Sequence, residues 1–157
     1  MTTKIEWCMN PDGTPGETWN PLVGCTKISA GCKNCYAKSL HDMRHKAYLE
    51  GKQLPRQYAE PFEQVTLMPE RLDQPLHWRK PRRVFVNSMS DLFHEDVPDE
   101  FIWRVFDTMT RGNRRHTYMI LTKRPARMKA WFEANQERFW HYHAPGEPQR
   151  EYVSAPW

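Results

Sequence analysis

The chain has 157 residues, with 23 basic and 19 acidic side chains and a formal charge of +4, a balance too mild to establish a nucleic-acid partner. Its 39% apolar content is modest, but 13% aromatic residues, seven of them tryptophan, argue against a disordered chain, because disordered chains lack such rings. No apolar run approaches the ~18 residues of a membrane span, and the stretch Met1 to Trp7 has no apolar signal region. One domain in a reducing, cytoplasmic setting is expected, where cysteines serve metals more readily than disulfides.

In chain order, residues 1–24 read as irregular. Asn10-Pro11-Asp12-Gly13-Thr14-Pro15-Gly16 is turn chemistry throughout. Ile5 to Trp7 and Thr18 to Val23 are short segments fit to pair or to form a first strand, and Trp7 and Trp19 are expected to pack over the segment that follows.

That segment, Gly24 to Tyr36, holds three of the four cysteines; six residues separate Cys25 from Cys32 and two separate Cys32 from Cys35. Glycines precede Cys25 and Cys32, where a loop must curl tightly. Three sulfur ligands suit an iron–sulfur cluster with one iron left open, or a zinc site completed by a fourth group. For zinc, Cys8 or His41 is the candidate fourth ligand.

A helix is expected just after Cys35, with Tyr36, Leu40, Met43 and Ala47 on one face and Gly51 as its stop. Cys35 then sits at a helix N-terminus, which favours thiolate over thiol. His41 and His45 are four apart on this helix and are read as packed or solvent-facing. Residues 51–62 read as loop, Gln64 to Leu67 as extended, and Pro69 to Leu72 as a short helix.

The clearest strand is Val84 to Met89, apolar and β-branched as a strand buried on both faces should be. A helix follows, with Pro98, Asp99 and Glu100 in its first turn, Ile102, Val105, Phe106 and Met109 on its inner face and Gly112 at its end. A second strand covers Thr117 to Leu121, and a second helix carries Met128, Trp131, Phe132 and Phe139. Strand, helix, strand at this spacing is a βαβ unit with parallel strands. In such units the loops after the strands carry function. Here they are Ser90 to Asp96, crowded with acids and a histidine, and Thr122 to Pro125, rich in cations. Three basic runs (Arg79, Lys80, Arg82 and Arg83; Arg111, Arg114 and Arg115; Lys123, Arg124 and Arg127) favour an anionic substrate or cofactor. Residues 143–157 lose all periodicity.

Taken together, Ile5-Glu6-Trp7, Thr18-Trp19-Asn20-Pro21, Gly24-Cys25 through Tyr36-Ala37, Val84 through His94 and Leu121-Thr122-Lys123-Arg124-Pro125 resemble the phage three-cysteine-motif family of radical-SAM-like proteins. The resemblance covers roughly residues 4–142. Met9 to Gly16 looks inserted, and members of that family usually continue further, so the chain resembles an N-terminal portion, apparently truncated at the C-terminus. The resemblance implies an α/β fold, a partial (β/α) barrel of the radical-SAM type with a parallel sheet. It would be a single domain over 1–157, with an irregular segment 1–24, a cysteine loop 25–36, a βαβα unit 84–142 and an irregular tail 143–157. It also implies a [4Fe–4S] cluster on Cys25, Cys32 and Cys35, with S-adenosylmethionine at the open iron. Asn87, Ser88, Ser90, Asp91, Lys123 and Arg124 are then candidate cofactor-binding residues, and Asp91 and His94 candidate catalytic ones. The gap of six between the first cysteines departs from the usual radical-SAM spacing, and the glycine-rich stretch that meets the methionine amino group is missing. A phage setting and basic strand-end loops point to a nucleic acid or nucleotide as substrate, with a protein partner unidentified and no membrane. Two rival expectations stand beside this one: a structural zinc module that binds nucleic acid or protein without catalysis, and a truncated non-catalytic remnant.

Overall fold

The computed structural model describes residues 2–111 and 116–138. Gly112, Arg114, Arg115, Phe139 and the tail 143–157, all named above, lie outside the described residues. The chain divides into two compact units, Met1–Arg124 and Pro125–Trp157.

The first unit is built on strands β1 (Thr2–Thr3), β2 (Gly16–Trp19), β3 (Leu22–Val23), β4 (Thr66–Leu67), β5 (Arg83–Val86) and β6 (Thr117–Ile120), with helices α1 (Tyr36–Leu49) and α2 (Asp99–Arg111). The main sheet has the order β1-β2-β5-β6; β1 runs antiparallel to β2, and β2, β5 and β6 run parallel. β3 and β4 form a separate antiparallel pair. The fold is therefore mixed α/β with a partly parallel sheet, and among the described residues the sheet does not close into a barrel.

β5 lies at the centre because its residues tolerate burial on both faces: Val84 and Val86 have no exposed surface and Phe85 little. It ends three residues earlier than expected. Asn87 adopts a left-handed backbone with φ of 59°, which breaks the extended run, so Asn87 to Met89 form a turn. α2 connects β5 to its parallel neighbour β6, as the βαβ reading requires. Pro98 precedes it, and its carbonyl accepts the Phe101 and Ile102 amides at 2.9 and 3.2 Å. The buried face of α2 is Phe101, Ile102, Trp103, Val105 and Thr108; Phe106 and Met109, expected inside, are only half-buried.

α1 starts where expected, with Cys35 at its N-cap, but its apolar stripe is divided: Leu40 packs against the buried core and Ala47 is half-buried, whereas the other two members face outward. Tyr36 and Met43 are 57% and 61% exposed, and the buried residues are Ala37 and His41. The helix is docked by polar anchors: His41 Nε2 lies 2.9 Å from the Glu60 carbonyl and His45 Nδ1 lies 2.8 Å from that of Tyr58. Both histidines are thus packing residues.

Trp7 and Trp19 differ from each other: core filling, the other role open to both, falls to Trp19. Trp19 is fully buried in β2 and donates its indole N–H to the Arg71 carbonyl at 2.7 Å, so it fills the core. Trp7 is 44% exposed and meets Phe85 edge-on, with ring centroids 4.8 Å apart. No helix among the described residues is long and apolar enough to cross a membrane. In the second unit, α3 (Pro125–Ala134) buries Trp131, whose ring lies 5.2 Å from that of Phe132.

Candidate functional site

Three parallel strands in register end at one edge of the sheet, since Trp19 pairs with Val86 and Val86 with Ile120. The segments that follow them, from Asn20, Asn87 and Leu121, must therefore leave the sheet side by side. Asn20 joins the first two: its Oδ1 accepts the Met89 amide at 2.9 Å, and its amide group exchanges hydrogen bonds with the Ser88 hydroxyl. Ser90 donates to the Leu22 carbonyl at 2.9 Å, and Tyr36 donates to the Ser88 carbonyl at 2.6 Å. Ser88 and Ser90, candidates for cofactor binding, are thus engaged in joining strand ends. Gly24 makes this closeness feasible. Its φ is +96°, and a Cβ there would stand 2.3 Å from the Gln64 carbonyl oxygen.

The cysteine loop enters directly after Gly24. The Cys25 amide donates to the Phe62 carbonyl at 2.8 Å. Cys25 and Cys35 both pack against the buried cluster of Val23, Ala37, Phe62, Met68 and Met89. Cys32 ends a short 3-10 turn, Ala30–Cys32.

Thr122, Lys123 and Arg124, in the segment after β6, organise this end. The Arg124 side chain is buried, yet each of its nitrogens has a partner. Nε donates to both oxygens of Glu95, at 3.0 and 2.9 Å. Nη1 reaches Asp91 Oδ2 at 3.3 Å and Cys25 Sγ at 3.5 Å, and Nη2 reaches the carbonyl and hydroxyl oxygens of Thr26 at 3.3 and 3.1 Å. Lys123 serves the second cysteine: Nζ donates to the Gly31 carbonyl and lies 3.8 Å from Cys32 Sγ. Two thiols of the loop thus each have a cation, from adjacent residues of one strand-end segment.

Asp91 is the counterpart of Arg124. Oδ1 accepts from the Phe93 amide at 3.0 Å and the Thr122 hydroxyl at 2.7 Å; Oδ2 accepts from the Lys123 amide at 3.0 Å and from Arg124. Both oxygens are committed, so Asp91 ties the two functional loops together. His94 does similar work. Nδ1 accepts the Asp96 amide at 3.1 Å, and Nε2 lies 2.7 Å from the Thr26 hydroxyl and 3.3 Å from the Thr26 amide. Burial, with the nearby Arg124 guanidinium adding, holds its pKa below the usual histidine range.

The cysteines differ in ionisation. Burial raises Cys25, against the pull of Arg124. Cys32 is lowered to about 7, by backbone hydrogen bonds from Ile28 and Ser29 first, with Ser29 Oγ and Lys123 adding. Cys8 belongs elsewhere. Its buried thiol donates to the Glu17 and Arg83 carbonyls at 3.7 and 3.6 Å, at the amino-terminal ends of β2 and β5. A four-residue strand, on the order of 10 Å long, separates that edge from the cysteine loop. This overturns Cys8 as a fourth ligand for the loop. Two of the basic runs separate likewise: Arg82 pairs with Glu17 and covers Trp78 at the same amino-terminal edge, while Lys123 and Arg124 stand at the opposite one.

Asn87 is the outlier of the site. It is 2% exposed, and both polar atoms of its side chain are buried without a hydrogen-bond partner among the described residues. An amide left in that state costs about 1–3 kcal/mol.

Compared with protein families, residues 2–152 match one described as a protein of unknown function, DUF5131. The chain belongs to the DUF5131 family. No curated protein and no solved structure matches it.

For this DUF5131 member the donor set fits a thiolate-held metal group in kind: three thiols on one loop, two of them with a cation at hydrogen-bonding range, and an orphaned polar side chain at the adjoining strand end. Among the described residues no three or more His, Cys, Asp or Glu side chains are arranged to hold a metal ion. Sequence reasoning missed Thr26 and Glu95. Thr26 directly follows Cys25 and Glu95 directly follows His94, which is the only signal either position carries.

Proposed function

We propose that this DUF5131 protein is an iron–sulfur protein of the radical S-adenosylmethionine type, on a partial (β/α) barrel, with Cys25, Cys32 and Cys35 as the ligands of a [4Fe–4S] cluster. The observation that carries this reading is the provision of Arg124 for Cys25 and Lys123 for Cys32. Cations in that position stabilise thiolates, the form that ligates metal. A buried structural thiol has no use for one, and Cys8 has only carbonyls.

When bound, such a cluster supplies one-electron reduction of S-adenosylmethionine. The chain's residues would do the rest. Arg124 and Lys123 would offset thiolate charge. Asp91 would hold Arg124 and the Lys123 amide in place, and His94 would fix Thr26 and with it the backbone beside Cys25. Asp91 and His94 are thus positioning residues in this reading rather than proton carriers. Nucleic acid or a nucleotide is the proposed substrate class, from the cationic strand-end loop and the likeness to phage proteins.

A zinc module is the second reading. Cys8 is too far to complete it; Nε2 of His41 is bound to the Glu60 carbonyl, while Nδ1 is buried without a hydrogen-bond partner among the described residues. Anaerobic reconstitution decides between the readings. Iron with labile sulfide, lost in Cys32→Ala, and 5′-deoxyadenosine formed from S-adenosylmethionine support the cluster. One equivalent of zinc in a colourless protein, or iron retained at wild-type level in Cys32→Ala, refutes it.

A further inference from the structure

Asn87 is spent by the fold on its backbone alone. Its N–H donates to the Trp19 carbonyl at 2.8 Å and its carbonyl accepts from the Ser90 amide at 3.3 Å, while its φ of 59° is one that glycine meets without strain. The side chain adds no hydrogen bond to any of this. The neighbouring Asn20 shows the opposite habit, with its amide fully used in joining β2 to β5. Asn87 also stands at the carboxyl end of the central parallel strand, between the ends of β2 and β6, where open α/β sheets receive ligands.

We infer that the Asn87 carboxamide reads the planar donor–acceptor edge of an adenine ring in the ligand of this site. An asparagine offers one acceptor and one donor side by side, which matches the N6 donor and N7 acceptor of adenine. The inference deepens the proposed function and rests on it for the kind of ligand, an adenine nucleoside. It does not depend on the cluster: Asn87 lies in the turn that follows β5, not on the cysteine loop.

The test compares wild type with Asn87→Gly, which suits the backbone and deletes the amide, and Asn87→Asp, which keeps the shape and the acceptors but not the donor. Calorimetric titrations use adenosine, inosine and S-adenosylmethionine as probes. Inosine replaces the N6 donor with an acceptor, so wild type is expected to bind adenosine at least tenfold more tightly. Asn87→Gly is expected to abolish that preference and weaken S-adenosylmethionine at least tenfold, while its melting temperature stays at or above the wild-type value. Asn87→Asp keeps the acceptor that meets N6 but loses the donor that meets N7, so it is expected to bind adenosine at least tenfold more weakly than wild type does, and it serves if the glycine variant does not fold. Adenosine–inosine discrimination that survives Asn87→Gly, or adenosine affinity unchanged in Asn87→Asp, overturns the inference and marks the amide as structural. Wild type binding none of the three probes also overturns it, and leaves the cluster reading to iron and sulfide content.

Discussion

Replacing Asp91 with alanine tests whether the two strand-end loops are held by one buried carboxylate. Its side chain is 7% exposed and faces the Arg124 guanidinium, which is 3% exposed. Removing one member of a buried ion pair typically costs about 3–5 kcal/mol. The lower end applies, because the half-exposed Glu95 still holds Nε of Arg124 through both oxygens. The Phe93 and Lys123 amides and the Thr122 hydroxyl also lose their acceptor, at about 1 kcal/mol each where water does not reach them. Lys123 is at the surface, so only part of that counts. A destabilisation of about 4 kcal/mol is expected, which for a chain of this size lowers the melting temperature by roughly 8–16 °C. Asp91→Asn keeps the Oδ1 bonds and loses the charge opposite Arg124, for about 2 kcal/mol. Urea titrations followed by tryptophan fluorescence give both values. An alanine variant within 1 kcal/mol of wild type, with the asparagine variant indistinguishable, would refute the account of Asp91 as the tie between the loops.

Gly24→Ala is expected to destabilise by at least ~2 kcal/mol, from the strained backbone and the 2.3 Å approach to Gln64 together, and to lower cluster content in proportion; circular-dichroism melts and iron content check both. Cys8→Ala is expected to leave reconstituted iron unchanged at a cost of about 1 kcal/mol in stability, whereas loss of iron matching Cys32→Ala would return Cys8 to the ligand set. The pH dependence follows from two imidazoles held low: His94, by burial with Arg124 adding, and His116, by burial, with Arg82 adding, against the pull of the Pro75 carbonyl as an acceptor. The unfolded chain then takes up protons more readily. Their stabilisation is complete above pH ~6.5 and is lost as pH falls through the lower folded values. Urea midpoints at pH 5.5 are therefore expected below those at pH 7.5, and His116→Asn, which can keep an acceptor for the Arg82 amide, is expected to reduce the slope.

The legible parts of the fold were those whose burial is continuous. Val84 to Val86 read as a central strand because both faces are apolar, and the spacing to Thr117 leaves room for one crossover helix. α1 was placed correctly, and its apolar stripe divides: Leu40 packs against the core while Tyr36 and Met43 point to solvent. Much of the helix's attachment is made by side chains that hydropathy scores as polar: His41, His45 and Arg44 all bind the segment around Tyr58 and Glu60. Hydropathy follows oil and water; it does not register imidazoles that satisfy buried carbonyls. The early end of β5 carried a signal in Asn87 itself, a residue that tolerates the left-handed region. The cations for Cys25 and Cys32 lie 99 and 91 positions along the chain, and only the register of three parallel strands brings them back.

That distance in sequence bears on how the cysteine loop would meet a metal. The loop has little structure of its own, and it is held from outside: Cys25 by the Phe62 carbonyl and Arg124, Thr26 by His94, Gly31 and Cys32 by Lys123, and Cys35 by the start of α1. Two of the three sulfurs rest on one apolar cluster, while the stretch from Lys27 to Gly31 is exposed. Bringing the three together asks little of Cys25 and Cys35, which are anchored at either end, and most of Cys32, whose 3-10 turn is fastened to the sheet chiefly through one lysine. A long, hydrated and flexible side chain is suited to that task, because it can follow a sulfur that moves. Arg124, planar and fully bound, suits the sulfur that stays. If the proposed cluster is bound, lysine for one cysteine and arginine for the other would suit a loop that closes on it from the Cys32 side.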